Sequence, residues 1–196
     1  MGHIVFIIPG LGDNTWIPKV LTRHWNIYGL TLIIHSMNWI DPTRSFEEKL
    51  NVLIRHIDEH SSKKHTVSLV GTSAGGSAVL NAYIQRKHAI KKVVNICGRL
   101  SVGPTKGYRS FQNRTHAFPS FAQSIQKLEQ QQNTLALQDR KNIMTVSSSI
   151  YDDAVPSETS VLSGAMNITL PTIGHIPSIG LAFTANSGKI LDFITS

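Results

Sequence analysis

Residues 66–70, Thr-Val-Ser-Leu-Val, form a short β-branched and apolar run. Gly71-Thr72-Ser73-Ala74-Gly75 follows without a break, and residues 76–84 then carry the small and apolar side chains of a helix. G-x-S-x-G between a strand and a helix constrains this chain more than any other feature. A turn that tight forces the serine into a backbone conformation that L-residues avoid, so the residues two before and two after it must be small. It also leaves the serine hydroxyl at the end of a strand, over the positive end of the next helix. A glycine-rich turn with an incidental serine would give the same five letters. The flanking strand and helix favour the strained turn.

The rest of the chain alternates in the same way. Residues 4–8 read as a first strand and 30–34 as a second, with a short helix over 16–24 between them. Ser45 with Glu48 three residues later has the form of a capping box. It opens a helix whose apolar residues Phe46, Leu50, Leu53, Ile54 and Ile57 make one stripe. Residues 66–70 are the third strand, 93–97 a fourth, 142–147 a fifth and 166–170 a sixth, and 190–194 lie on a terminal helix. Such alternation predicts an α/β class protein, a single domain over 1–196 with about six mostly parallel strands and helices on both faces. The irregular stretch at 98–119 is too short for a separate cap domain. It falls at the carboxyl end of a strand, where parallel sheets build their sites.

A serine hydroxyl becomes a nucleophile only when a base takes its proton and a third group orients that base. On a sheet of this kind the partners follow in the order serine, acid, histidine. Asp152 is the leading acid, just past the fifth strand in Asp152-Asp153-Ala154-Val155-Pro156, with Asp153 the alternative. Two carboxylates capping a turn would look the same. Of nine histidines, His175 alone has both the required order and a place in the loop after the last strand, behind Gly174. His3, His24, His60, His65 and His88 read as surface residues. His35 ends the second strand and His116 lies in the irregular loop. His56 and His60 have a zinc-compatible spacing, but their helix offers no third ligand, so no metal is expected. Stabilising a developing oxyanion needs backbone N–H groups. Pro9-Gly10-Leu11-Gly12 follows the first strand, so the amides of Leu11 and Ala74 are the candidates. The spacing there fits neither a dinucleotide nor a phosphate loop. Met37, Trp39, Leu100 and Tyr108 are candidate pocket walls, with ordinary packing the competing reading.

Composition narrows the class further. With 41% apolar and 16% charged residues in 196, the chain can bury a core. A single cysteine, Cys97, excludes an internal disulfide and a thiolate cluster, and it reads as a buried small residue. No apolar run approaches the roughly 18 residues that span a bilayer. The five apolar residues before Pro9 are too few for a secretory core, so the expectation is a cytoplasmic protein. The formal charge of +7 is scattered rather than clustered, which argues against nucleic acid as a partner. Arg99, Lys106, Arg109 and Arg114 in the irregular loop read as solvated charges, or as a preference for an acidic leaving group.

PGLG at 9–12, GTSAGG at 71–76, DDAVP at 152–156 and TIGH at 172–175 together resemble the α/β-hydrolase superfamily, over essentially the whole chain. Within it the chain is similar to small capless members, the Bacillus lipase A-like esterases and lipases, and to the small intracellular retinoblastoma-binding-protein-9/YdeN-like serine hydrolases. That resemblance implies a triad of Ser73, Asp152 and His175 that cleaves carboxylic esters through an acyl-enzyme and uses no cofactor. An acyltransferase, thioesterase or peptidase would use the same triad. A binding module on the same fold would have no need of all three residues.

Overall fold

A computed structural model describes residues 2–196. Six parallel strands, β1 His3–Ile8, β2 Leu30–Ile34, β3 Thr66–Thr72, β4 Lys92–Ile96, β5 Ile143–Ser148 and β6 Met166–Leu170, form one sheet in the order β2-β1-β3-β4-β5-β6. Eight helices connect or follow them: α1 Trp16–Leu21, α2 Phe46–Ser62, α3 Ala74–Gln85, α4 Phe111–Thr115, α5 Pro119–Gln131, α6 Leu137–Arg140, α7 His175–Phe183 and α8 Gly188–Thr195. Because every strand pair is parallel, all carboxyl ends meet at one edge of the sheet. β1 and β3 run in register from His3 opposite Thr66 to Ile8 opposite Gly71.

Both phases of the strands are apolar, which is what a sheet covered on two faces requires. Ile4, Phe6, Ile8, Val67, Leu69, Val93 and Ile143 pack under α2, α3 and α5. Val5, Ile7, Val70, Val94, Ile96, Met144 and Val146 pack against α7, α8 and Trp25. The stripe at Phe46, Leu50, Leu53, Ile54 and Ile57 is buried along α2. Both arms of the capping box form: the Glu48 amide donates to Ser45 Oγ, and the Ser45 amide donates to the Glu48 carboxylate at 2.7 Å. Four helices, α4, α5, α6 and α7, lie where the sequence reading has none. α5 opens on Pro119 and buries Phe121, Ile125 and Leu128, and α4 is a single turn inside the 98–119 segment. No helix among the described residues is long and apolar enough to cross a membrane.

The central strands and α3 approach each other as closely as glycine allows. A Cβ on Gly75 would lie 2.1 Å from the Ile8 carbonyl oxygen, and one on Gly71 would lie 2.3 Å from the carbonyl oxygen of Gly75. Both obstacles are backbone atoms in the middle of the fold, so nothing can swing aside. Gly75→Ala should therefore cost about 4 kcal/mol or more, at the severe end for a single substitution. A urea titration followed by circular dichroism should place its midpoint far below that of the parent, or find no folded protein.

Candidate active site

Ser73 sits between β3 and α3 at φ 51° and ψ −120°. A non-glycine residue holds such angles only when its surroundings over-determine them. Here the Ser73 amide donates to the Ile96 carbonyl at 3.0 Å, and its own carbonyl accepts from Gly76 N at 3.0 Å. Beneath it lies Asn95, buried in β4 among apolar neighbours. Its side chain donates to the Gly98 and Ser160 carbonyls and accepts from the Gly98 amide, between 3.0 and 3.1 Å. Gly98 in turn presses on the Ser73 carbonyl, 2.5 Å from where a Cβ at position 98 would sit. The strained serine is thus anchored to β4 and to the segment after it.

The acid region follows β5. Asp152 is 3% exposed, and its Oδ1 accepts from the amides of Ala154 and Val155, both at 2.8 Å. Its Oδ2 lies 2.8 Å from Nδ1 of His175. Burial alone would push this carboxyl's pKa up. The hydrogen bond and charge of the His175 ring, with the two amides, outweigh burial and hold it below the ordinary carboxylate value. An ionised carboxylate only accepts, so Nδ1 carries the ring proton and donates it to Asp152. Nε2 is then the free acceptor, and it lies 2.9 Å from Ser73 Oγ. The Ser73 hydroxyl donates to it.

A carboxyl held lower in the folded chain than in the unfolded one stabilises the fold above the unfolded value. That stability is lost as pH falls through the folded value. The parent should therefore lose stability on acidification below about pH 4, the ordinary aspartate value. Asp152→Asn should lack that part of the decline. Thermal melts of both proteins across the acid range check it.

Asp153, the alternative acid, does not reach the ring. Its Oδ1 accepts from the backbone amide of His175 at 2.7 Å, so the two aspartates hold the two ends of one residue. His175 is the first residue of α7 rather than a loop residue. Gly174 at φ 91° makes the entry turn and donates to the Tyr151 carbonyl at 2.8 Å. Position 10 lies directly against the serine, since a Cβ there would be 3.3 Å from Ser73 Oγ. The adjacent Leu11 amide has no acceptor among the described residues, and Ala74 opens α3, where an N–H has no partner within its helix. Neither amide donates to another group among the described residues.

Of the four candidate pocket walls, Met37, Trp39 and Leu100 are 1–2% exposed and pack in the core. Trp39 stacks on Phe46 and meets Phe121 edge-on. Tyr108 lies out on the surface, carrying the Arg114 guanidinium 4.4 Å above its ring. A groove of about 440 Å³ on the 98–119 segment is lined instead by Val102, Phe111, Thr115 and Pro119, among others. The arginines of that segment are not simply solvated. Arg99 is 1% exposed, and all three bond backbone carbonyls.

The remaining histidines stand apart from Ser73. His35 is buried and its Nδ1 meets that of His56 at 3.1 Å. Burial first, and His56 second, push its pKa down to about 4. His60 and His65 are half-buried beside one another rather than on the surface. Among the described residues no group of three or more His, Cys, Asp or Glu side chains is placed to hold a metal ion. Cys97 is buried, and burial pushes its thiol up to about 12, so it stays protonated.

No family model matches the chain, and no curated protein matches its sequence. Solved structures do match. Est1E from Butyrivibrio proteoclasticus is similar at 16% identity and a TM-score of 0.67, with 100% of this chain and 89% of that one covered. A Paleococcus ferrophilus monoacylglycerol lipase is similar at 15% identity and a TM-score of 0.68, with 99% and 96% covered. The thioesterase domain from the curacin biosynthetic pathway is similar at 12% identity and a TM-score of 0.60, with 100% and 92% covered. With the strand order, the serine turn after β3 and full-length coverage agreeing, the chain has the α/β-hydrolase fold, in a form without a cap domain.

Proposed function

We propose that this protein is a serine hydrolase that cleaves carboxylic esters through an acyl-enzyme. One observation carries the reading: an unbroken hydrogen-bond chain from Ser73 Oγ to His175 Nε2 and from His175 Nδ1 to Asp152, with the serine in a strained turn. Ser73 Oγ attacks the ester carbonyl carbon while His175 Nε2 takes the hydroxyl proton. Asp152 keeps the ring in the tautomer that can accept and stabilises the imidazolium. The amides of Leu11 and Ala74 receive the carbonyl oxygen as it becomes negative. On collapse the carbon–oxygen bond to the leaving group breaks, and His175 returns the proton to the departing alkoxide. Water then attacks the acyl-serine with His175 as base, giving the carboxylic acid and restoring Ser73.

A second reading keeps every step and exchanges the leaving alcohol for a thiol. The similarity to a thioesterase domain supports it, as does the use of one acyl-enzyme for both bonds. Intact-mass spectrometry after fluorophosphonate treatment tests the common core. A single adduct on the parent, absent from Ser73→Ala and much slowed in His175→Ala, is the expected result. Folded parent protein that takes up no adduct would overturn the mechanism and turn attention to a binding role.

A further inference from the structure

The reacting groups are carried on two stretches of chain. These are joined by the β4–β5 pairing and by bonds from Asn95 to the Ser160 carbonyl and from the Leu100 amide to the Thr159 carbonyl, none of which touches the acid turn itself. Asp152, Asp153, Gly174 and His175 hold one another, through the carboxylate contacts, the Gly174 amide on the Tyr151 carbonyl and a parallel bridge between Tyr151 and Ile173. Ser73 belongs to the other unit, with Asn95 and Gly98. The carboxylates of the turn are spent on the Ala154, Val155 and His175 amides and on the His175 ring, which leaves the carbonyls of 152–154 for other donors. Those three carbonyls are taken by arginines of the 98–119 segment, which grows directly out of the serine's unit. Arg109 Nη1 donates to the Asp152 carbonyl at 2.8 Å, with its guanidinium 5.0 Å above the Tyr151 ring. Arg114 donates to the Asp153 carbonyl at 2.7 Å and, from Nε, to the Ala154 carbonyl at 3.3 Å. Buried Arg99 donates to the Val102 and Arg109 carbonyls, fixing the backbone that carries Arg109.

We infer that Arg109, supported by Arg114 and Arg99, is a positioning residue that sets the Asp152–His175 unit against Ser73. The inference rests on Ser73 and His175 being the reacting pair proposed above. A guanidinium suits the task because it is always charged, forms charge-assisted hydrogen bonds to carbonyls and stacks on an aromatic ring at once. Its effect is felt at one contact, between His175 Nε2 and the Ser73 hydroxyl. The hydrogen bond between His175 and Asp152 lies within one unit and does not depend on it. Reactive geometry is sensitive at this scale, with a displacement of about 1 Å costing on the order of 100-fold.

The test compares the parent with Arg109→Ala, Arg109→Lys and Ser73→Ala, all checked for thermal unfolding. Two readouts are taken: the rate constant for fluorophosphonate labelling of Ser73, and the ¹H and ¹⁵N NMR signals of the His175 ring. Arg109→Ala should label about 10- to 100-fold more slowly, and its kcat for a p-nitrophenyl ester should fall with little change in KM. Its Nε2 signal should move to that of Ser73→Ala, while the Nδ1 proton shared with Asp152 keeps the parent's shift. Arg109→Lys, with one flexible donor in place of the planar fork, should fall between, and it carries the same comparison if the alanine variant does not fold. Labelling within twofold of the parent, or an unmoved Nε2 signal, would overturn the inference. So would loss of the Nδ1 proton together with the labelling, which would mean that the acid turn has simply collapsed. If the parent itself takes no label, the proposed reaction fails, and the Nε2 comparison still decides whether Arg109 positions the ring.

Discussion

Ser73→Ala should leave a folded protein whose ester turnover has fallen by about 10⁵- to 10⁶-fold, the scale seen when a triad nucleophile is removed. The size follows from what remains. Without Oγ no acyl-enzyme can form, and His175 is left holding a water or nothing. Only the Leu11 and Ala74 amides persist, and positioning and oxyanion stabilisation alone account for a residual of about 10³- to 10⁴-fold over water. The fold should not suffer. The side chain's one hydrogen bond is to His175, while the backbone bonds to Ile96 and Gly76 survive the change. Alanine also meets the same left-handed backbone cost as serine. Hydrolysis of p-nitrophenyl butyrate beside a thermal melt measures both halves. Turnover within tenfold of the parent would place the nucleophile elsewhere.

Asp152→Asn should lower kcat by about 10⁴-fold, and Asp153→Asn by less than about tenfold. The contrast comes from which atom of His175 each aspartate holds. An asparagine at 152 can still accept from the amides of Ala154 and Val155. Turned that way, it offers an NH₂ to Nδ1, which then becomes an acceptor and moves the ring proton to Nε2. A ring protonated at Nε2 cannot take a proton from Ser73. An asparagine at 153 keeps an oxygen for the His175 amide, and the tautomer is untouched. Steady-state kinetics of both variants over the same ester settles the assignment. Equal losses at the two positions, or a larger loss at 153, would overturn it.

Much of this could be read from the residues because the signals were local. Short apolar and β-branched runs mark the strands, a stripe of period 3.6 marks α2, and the strained turn announces itself through Gly71 and Gly75. The chain order of Ser73, Asp152 and His175 needs only the sheet's polarity. The division of labour between Asp152 and Asp153 was not legible, since adjacent carboxylates differ only in where a tertiary contact arrives. α5 escaped for a related reason. Its buried stripe of Phe121, Ile125 and Leu128 is diluted by glutamines and by Ser124, whose hydroxyl and carbonyl meet Ser77 and Asn81 on α3. The pocket candidates were hard to read because a large apolar side chain near a strand end serves a core as readily as a wall, and Met37, Trp39 and Leu100 are buried. The arginines misled in the opposite sense. Charge in a loop suggests solvent, and only the positions of the carbonyls at 152–154 show otherwise. Asn95, in the middle of Val-Val-Asn-Ile, was the one overlooked residue with a readable signal, a polar side chain where the strand pattern demands an apolar one.

Proteins commonly open in parts, with loops exchanging and unfolding long before the core. The close passage of Gly75 over the Ile8 carbonyl and of Gly71 under α3 assigns Ser73 to the last part to open. Its angles are enforced by β1, β3 and β4 together, so no small local fluctuation can relax them. Ser73 and the centre of the sheet are one cooperative unit. The 98–119 segment, built from short turns, is held by side-chain ties instead, among them the Arg109 and Arg114 contacts to the acid turn. The serine is therefore held by the centre of the sheet and the acid turn by a peripheral segment, within a single 196-residue chain.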